Sequence, residues 1–480
     1  MFLGLDIGTS GVKAVLLSDA GSVHATATAP LPITRPERDW SEQQPGDWLA
    51  ACDKAVLALP AEARRMVRGV GLAGQMHGAT LLDDADQVLR PAILWNDGRS
   101  FAECSELEAR VPDLRSLAGN IAMPGFTAPK LLWVQRHEPD IFERVGTILL
   151  PKDYVRLALT GDKASDMSDS AGTLWLDVGA RAWSNRLLGA CNLTQDQMPR
   201  LYEGAEATGQ LRRTIAERWG MEAVPVVAGA GDNAAGAVGV GVTAEGDALL
   251  SLGTSGVIFV ATADFRPNPA RAIHAFCHAL PDMWHQMSVH LSAASCIEWG
   301  LRATGSASPD AFLALAQRAG AGEGGELFLP YLSGERTPHN DPHVRGALLG
   351  IDHDTDPARI AAAVLEGVAF AHADGIAALR EAGTRVEQLT VIGGGARSRY
   401  WGALLASALD VRLAYLEGSE TGPALGAARL AMMGVTGASV GEICIRPPTE
   451  EVIAPDPRLA ERLAPRLARF RAAYPALGSF

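Results

Sequence analysis

The 480-residue chain contains no Cys-x-x-Cys pair, no Gly-Lys dipeptide and no His-Glu-x-x-His pattern. These absences exclude a paired-thiol zinc or redox motif, a Walker A phosphate loop and a zinc-protease helix. Positive charge is scarce: 42 Lys and Arg stand against 55 Asp and Glu, a net charge of −13. A chain without a basic footprint suits neither nucleic acid nor an anionic membrane surface, so neither is expected as a partner. The longest uncharged stretch, 248–263, falls short of the ~20 residues a spanning helix needs. No basic residue precedes an apolar run in 1–6, so a secretory leader is not expected. Six scattered cysteines point to a reducing compartment, and the expectation is a cytoplasmic protein. With 48% hydrophobic and 20% charged residues, a chain this long can bury a large core without staples.

What the chain does have is a repeat. Gly8-Thr9-Ser10-Gly11-Val12 recurs letter for letter as Gly253-Thr254-Ser255-Gly256-Val257, 245 residues later. Short apolar runs flank both copies, so each reads as strand, tight Gly-rich turn, strand. Two halves of one architecture follow, 1–243 and 244–480. Val67 to Ala73 and Leu389 to Ile392 read as further strands. Pro45 to Ala58, Ala128 to His137, Arg399 to Leu409 and Ala424 to Met433 read as helices, as does Leu459 to Ala473. Asp356-Pro357 starts a helix expected to run through Ala363, with a second, longer one from Glu366 to Ala382 ending before Gly383. Interspersed strands and helices place the chain in the α/β class with mixed sheets. Gly69-Val70-Gly71-Leu72-Ala73-Gly74 matches a dinucleotide fingerprint, but it lies within a strand and opens no helix, so that reading is rejected.

Three places carry candidate chemistry. Asp6 ends the first strand beside the Gly8–Gly11 turn. Successive amides in such a turn converge on phosphate oxygens, and a carboxylate beside it can hold Mg²⁺. Asp6 as a turn residue is the alternative, and position alone does not choose. Asp232 follows the strand Pro225 to Ala228 and opens a helix of small residues. It is either an N-cap or a general base for phosphoryl transfer to an alcohol. Gly393-Gly394-Gly395-Ala396 follows a strand, where missing side chains leave room for a flat ring or a phosphate against the backbone.

Taken together, Asp6-Ile7-Gly8-Thr9-Ser10-Gly11, Leu252-Gly253-Thr254-Ser255-Gly256, Gly393-Gly394-Gly395-Ala396 and Gly125-Phe126-Thr127-Ala128-Pro129-Lys130 resemble the FGGY family of carbohydrate kinases. The resemblance spans nearly the whole chain and fades after Gly441. It implies two ribonuclease-H-like domains of the actin and hexokinase type, closing over ATP. By matched position it implies that Asp232 is the general base and Asp6 the Mg²⁺-associated carboxylate. Gly8, Thr9, Ser10, Gly253, Thr254 and Ser255 would serve the phosphates, and Gly394, Gly395 and Ala396 the adenosine. Met76 and His77 would contact the sugar, with Asn233 beside them. For His77 alone a structural role would be the better reading; its matched context reverses that. Within the family the nearest pattern is that of members acting on D-xylulose, and a homodimer is the implied assembly. The competing expectations are another acceptor (ribulose, gluconate or glycerol) and an ATP-driven clamp for protein clients.

Overall fold

The structure is a computed structural model that describes residues 1–417 and 422–477. Two seven-stranded mixed sheets organise it. In the first, the hairpin Phe2–Ile7/Gly11–Leu17 continues antiparallel into Val23–Pro30. On its other side Phe2–Ile7 runs parallel to Val70–Gly74, which pairs parallel with Pro225–Val227; antiparallel Ala207–Gln210 closes that edge. The short strand Ala230–Gly231 also pairs with Val70–Gly74. The second sheet repeats the pattern. Ala248–Leu252 and Gly256–Thr262 form its hairpin, and Trp284–His290 is the third meander strand. Gln388–Ile392 and Arg412–Leu416 are the parallel pair, and Thr449–Ile453 is the antiparallel edge. His274–Cys277 adds one strand at the far edge.

The two hairpins share five identical residues but not their register. Ile7 pairs with Val12, enclosing four residues, whereas Leu252 pairs with Gly256, enclosing three. The first turn is closed by Gly8 N–H to Gly11 O and the second by Gly253 N–H to Ser255 O.

The segment expected as two helices is one, Pro357–Glu381. Asp356 caps it through Arg359 N–H (2.9 Å) and Gly383, at φ +81°, follows its end. The glycines inside it mark close approaches rather than breaks: a Cβ on Gly367 would lie 2.1 Å from Phe328 O, and one on Gly375 2.1 Å from Ser288 Oγ. By length and apolarity this helix could cross a membrane, but here it is the buried centre of the second half. The helix expected at Ala424 to Met433 extends over Gly422–Thr436. It packs against Phe2–Ile7 and Val70–Gly74 of the first sheet and against the helix Asp232–Val240. All six cysteines are free and buried.

Candidate active site

The carboxyl ends of three neighbouring strands build the first part of the site. Asp6 lies level with Ala73, and Ala73 level with Ala230; one step on, Ile7, Gly74 and Gly231 are level. Asp232 follows directly. Two strand spacings, about 10 Å, therefore separate Asp6 from Ala230, and Asp232 lies two residues further along. Oδ1 of Asp6 is buried and has no hydrogen-bond partner among the described residues. Burial, and then the charge of Asp232, push the Asp6 carboxyl up to about 7, while cross-strand Lys13 pulls the other way.

Asp232 is the first residue inside its helix and the N-cap is Gly231, so of the two alternatives for Asp232 the N-cap is not the one found. Its Oδ1 accepts the Asn233 backbone N–H (2.7 Å) and the Asn233 side-chain amide (2.9 Å). Among the described residues its Oδ2 accepts nothing, which leaves one carboxylate oxygen for a ligand proton. A helix N-terminus favours the anion, but burial outweighs it and lifts the carboxyl to about 6. Asn233 is exposed and gives one amide proton to Asp232, while its Oδ1 and second amide proton bond to no described residue.

Met76 is buried against two glycines. A Cβ on Gly231 would come within 3.0 Å of its Cγ, and one on Gly172 within 2.8 Å of its Cε. His77 sits at φ +69°, a strained region for a non-glycine residue. Its carbonyl is held there by Lys130 Nζ (2.8 Å) and Thr127 Oγ1 (3.2 Å). Its Nδ1 is 2.6 Å from Gly172 O, an acceptor only, so Nδ1 carries the proton and Nε2 is left as an acceptor. Burial and nearby Lys130 drop its pKa to about 3, so the ring stays neutral. Phe126 meets the ring edge-on at 4.6 Å.

The residues expected to serve the phosphates follow the first strand of each hairpin. In the first turn Ser10 is exposed, but the Thr9 hydroxyl is already bonded to Gln75 (2.8 Å) and Trp95 (2.9 Å). In the second, Thr254 and Ser255 are exposed and their hydroxyls bond to no described residue. The backbone of that turn is anchored by Ala293 and Ala294 N–H and by Ser295 Oγ. Beside it, level with Ser251, Ile392 leads into the turn Gly394–Arg397. Gly393 (φ +91°) and Gly395 press on Leu252 so closely that no side chain fits. A cavity of about 340 Å³ opens there, lined by Ala294, Ile297, Leu313, Gly394, Gly395 and Trp401. Glu298, Asp310, Arg397 and Ser398 also line it, and its size suits a purine. The side chain of Ala396 lies outside what the structure describes.

Sequence reasoning missed several partners. Gln75 directly precedes Met76 and His77, so adjacency was an available signal for it, whereas Trp95 adjoins none of the residues singled out above. The buried Lys152–Asp166 pair (2.7 Å) had none; it continues through Ser168 Oγ to the Gly231 N–H (3.1 Å), beneath Asp232.

Comparison with known proteins agrees with this geometry. The N-terminal domain of the FGGY family of carbohydrate kinases matches residues 1–239, and its C-terminal domain matches 248–435. The xylulose kinase of Escherichia coli (strain K12) is 53% identical, covering 99% of this chain and 98% of its own. The xylulose kinase of Bacillus subtilis (strain 168) is 38% identical, covering 90% and 88%. A solved xyloylose kinase from Brucella ovis superposes with a TM-score of 0.96 at 51% identity, covering 100% of this chain and 99% of that one. With both of its domains matched in order across the two sheets, this chain belongs to the FGGY family of carbohydrate kinases.

Proposed function

We propose that the protein transfers the γ-phosphoryl group of ATP to the C5 hydroxyl of D-xylulose, with residues 1–243 holding the sugar and 244–480 the nucleotide. The observation that carries the reading is the Asp232 carboxylate, half-buried with Oδ2 unengaged, directly after Gly231, against which Met76 packs. The full-length likeness to proteins named xylulose kinase supports the choice of sugar.

Asp232 Oδ2 takes the C5 hydroxyl proton as that oxygen bonds to the γ-phosphorus. The bond from phosphorus to the β,γ-bridging oxygen breaks, and ADP leaves. Asn233 fixes Oδ1 and so aims Oδ2. His77 Nε2 accepts a hydrogen bond from another sugar hydroxyl, and Met76 gives the carbon chain an apolar wall. Backbone amides of the Gly8–Gly11 and Gly253–Gly256 turns, with Ser10, Thr254 and Ser255, contact the phosphates. The cavity at Gly394 and Gly395 takes the adenosine.

The unpartnered Oδ1 of Asp6 fits a divalent cation, and Asp6 would hold it together with the nucleotide. Among the described residues no three His, Cys, Asp or Glu are arranged to bind a metal by themselves. Bound Mg²⁺ would neutralise phosphate charge during transfer.

The test is ADP formation with D-xylulose, D-ribulose, L-ribulose, gluconate and glycerol at equal concentration. D-xylulose is expected to be used best; a preference for any other acceptor overturns the assignment. Asp232→Asn should lower kcat on the order of 10²–10⁴-fold, and near-normal turnover would remove Asp232 from the role of base. The homodimer implied by the family is read by light scattering.

A further inference from the structure

Thr9 lies in the turn that meets phosphate, yet its hydroxyl belongs to a hydrogen-bond chain whose direction is fixed by two indoles. Trp48 is fully buried, and its Nε1–H, a donor only, reaches Gln43 Oε1 at 2.9 Å. The Gln43 oxygen therefore points that way. Its amide nitrogen faces two acceptors, Thr9 O (2.7 Å) and Pro32 O (3.0 Å), which demands the same orientation. Gln75 meets the same Gln43 oxygen at 2.8 Å, so it does so with its amide nitrogen, and its own oxygen faces Thr9. Thr9 Oγ1, 2.8 Å from Gln75 Oε1, must donate its single proton there. At the other end, the half-exposed Trp95 presents its indole N–H to the same hydroxyl oxygen at 2.9 Å. Gln43 and Gln75 are buried, 2% and 1% exposed, so water does not compete for these bonds.

A phosphate oxygen is an acceptor. A hydroxyl whose only proton already goes to Gln75 has none to give it. The twin turn differs: Thr254 is exposed and its hydroxyl has no partner among the described residues. The two identical Gly-Thr-Ser-Gly sequences therefore place their threonines in different chemical states.

We infer that Thr9 is a positioning residue rather than a phosphate ligand through its side chain, and that with Gln75 it ties the first phosphate turn to the sugar-binding segment. Gln75 immediately precedes Met76 and His77, and its backbone N–H bonds to Ile7 O, one residue from the turn. Trp95 extends the same tie from the other side of the Thr9 hydroxyl. Movement of the Met76–His77 segment is transmitted to the turn through the Thr9 hydroxyl. This rests on the kinase reading above.

The test compares Thr9→Val, Thr9→Ser and Gln75→Met. Thr9→Val and Gln75→Met should behave alike, raising KM for the sugar about fivefold, the factor represented by one hydrogen bond of ordinary net strength, with KM for ATP changed less than twofold. Thr9→Ser, which keeps the proton donor, should restore wild-type values. Titration calorimetry with a non-hydrolysable ATP analogue and no sugar should give Thr9→Val wild-type nucleotide affinity. That arm holds whichever sugar is the acceptor, while sugar-dependent ADP formation by the wild type tests the kinase reading separately. A tenfold loss of nucleotide affinity in Thr9→Val, with Gln75→Met unaffected, would overturn the inference, because Thr9 would then serve the phosphates directly. Thr9→Val is isosteric at a half-exposed site, so it decides the matter even where Gln75→Met fails to fold.

Discussion

Asp6 and Asp232 are two carboxyls lifted by the same cause, removal from water, with mutual repulsion added for Asp6. As the proposed base, Asp232 must be ionised to accept a proton. With Asp232 at about 6, kcat/KM for the sugar should decline as pH falls below about 6, approaching tenfold per pH unit. An acid limb lying below pH 5 would contradict the buried setting of Asp232. The same displacements act on stability. A carboxyl raised on folding binds its proton more tightly in the native state. Its favourable contribution is complete below the unfolded value near 3.8 and is lost as pH rises through about 6 to 7. Asp6→Asn should therefore raise the Tm of the unliganded protein at pH 8, by about 2 °C or more, and by less at pH 5; a scanning calorimetry series across pH reads the difference. Asp6 and Asp232 were legible because each stands where a strand breaks into glycine. The proton on His77 Nδ1 and the direction of the Thr9 hydroxyl were not. The first depends on Gly172, 95 residues from His77, and the second on the Gln75–Gln43–Trp48 chain, which is distant in sequence from Thr9.

At the scale of elements, glycine governs how closely helices approach the sheets. A Cβ on Gly71 would lie 1.9 Å from Ala427 O, one on Gly4 1.9 Å from Ala424 O, and one on Gly426 1.8 Å from Ala235 O. The helix Gly422–Thr436 thus rests on bare backbone of the first sheet and of the Asp232–Val240 helix. Gly71→Ala should cost about 1–3 kcal/mol by forcing that helix away, seen as a lower Tm with reduced activity. Gly46→Ala makes the converse case. Gly46 lies in the helix Pro45–Leu57 with nothing within 4 Å of an added Cβ, so the exchange should add about 0.5–1 kcal/mol. Equal effects from the two substitutions would refute the close-approach argument. Periodicity found the strands and most helices, since each buries one face. It split Pro357–Glu381 because that helix is buried nearly all round and shows no polar stripe where Val364 and Leu365 fall. The hairpin registers were illegible for a different reason. Identical letters at 8–12 and 253–257 take different loops because their partners differ, Gln43 and Leu31 for the first, Ala293 and Ala294 for the second.

Over the whole molecule, the repeat predicts two equivalent halves, but packing crosses the boundary between them. One buried cluster joins Phe2, Leu17, Ala73, Val227 and Val238 from before residue 243 to Leu425, Leu430, Met432 and Ile443 from after it. Buried Arg429 donates to Val238 O and to Ile445 O, both at 2.9 Å. Arg446 holds the connecting segment through Asp247 Oδ1 (2.6 Å) and Gly241 O (3.3 Å). A helix encoded late in the chain thus completes the core of the sheet encoded first. The half carrying Asp6, Met76, His77 and Asp232 should for that reason not fold alone. Residues 1–243 expressed separately would leave Phe2, Leu17 and Val227 uncovered in water, and should aggregate or melt without a cooperative transition. Expressed together with 244–480, the same fragment should become soluble and recover phosphoryl transfer, since the covering helix is supplied in trans. Intact 1–480 should unfold in a single calorimetric transition. A sharp, reversible melt from 1–243 by itself would show that its sheet is stable without the Gly422–Thr436 helix, and that the shared cluster aligns the halves without holding the first one up.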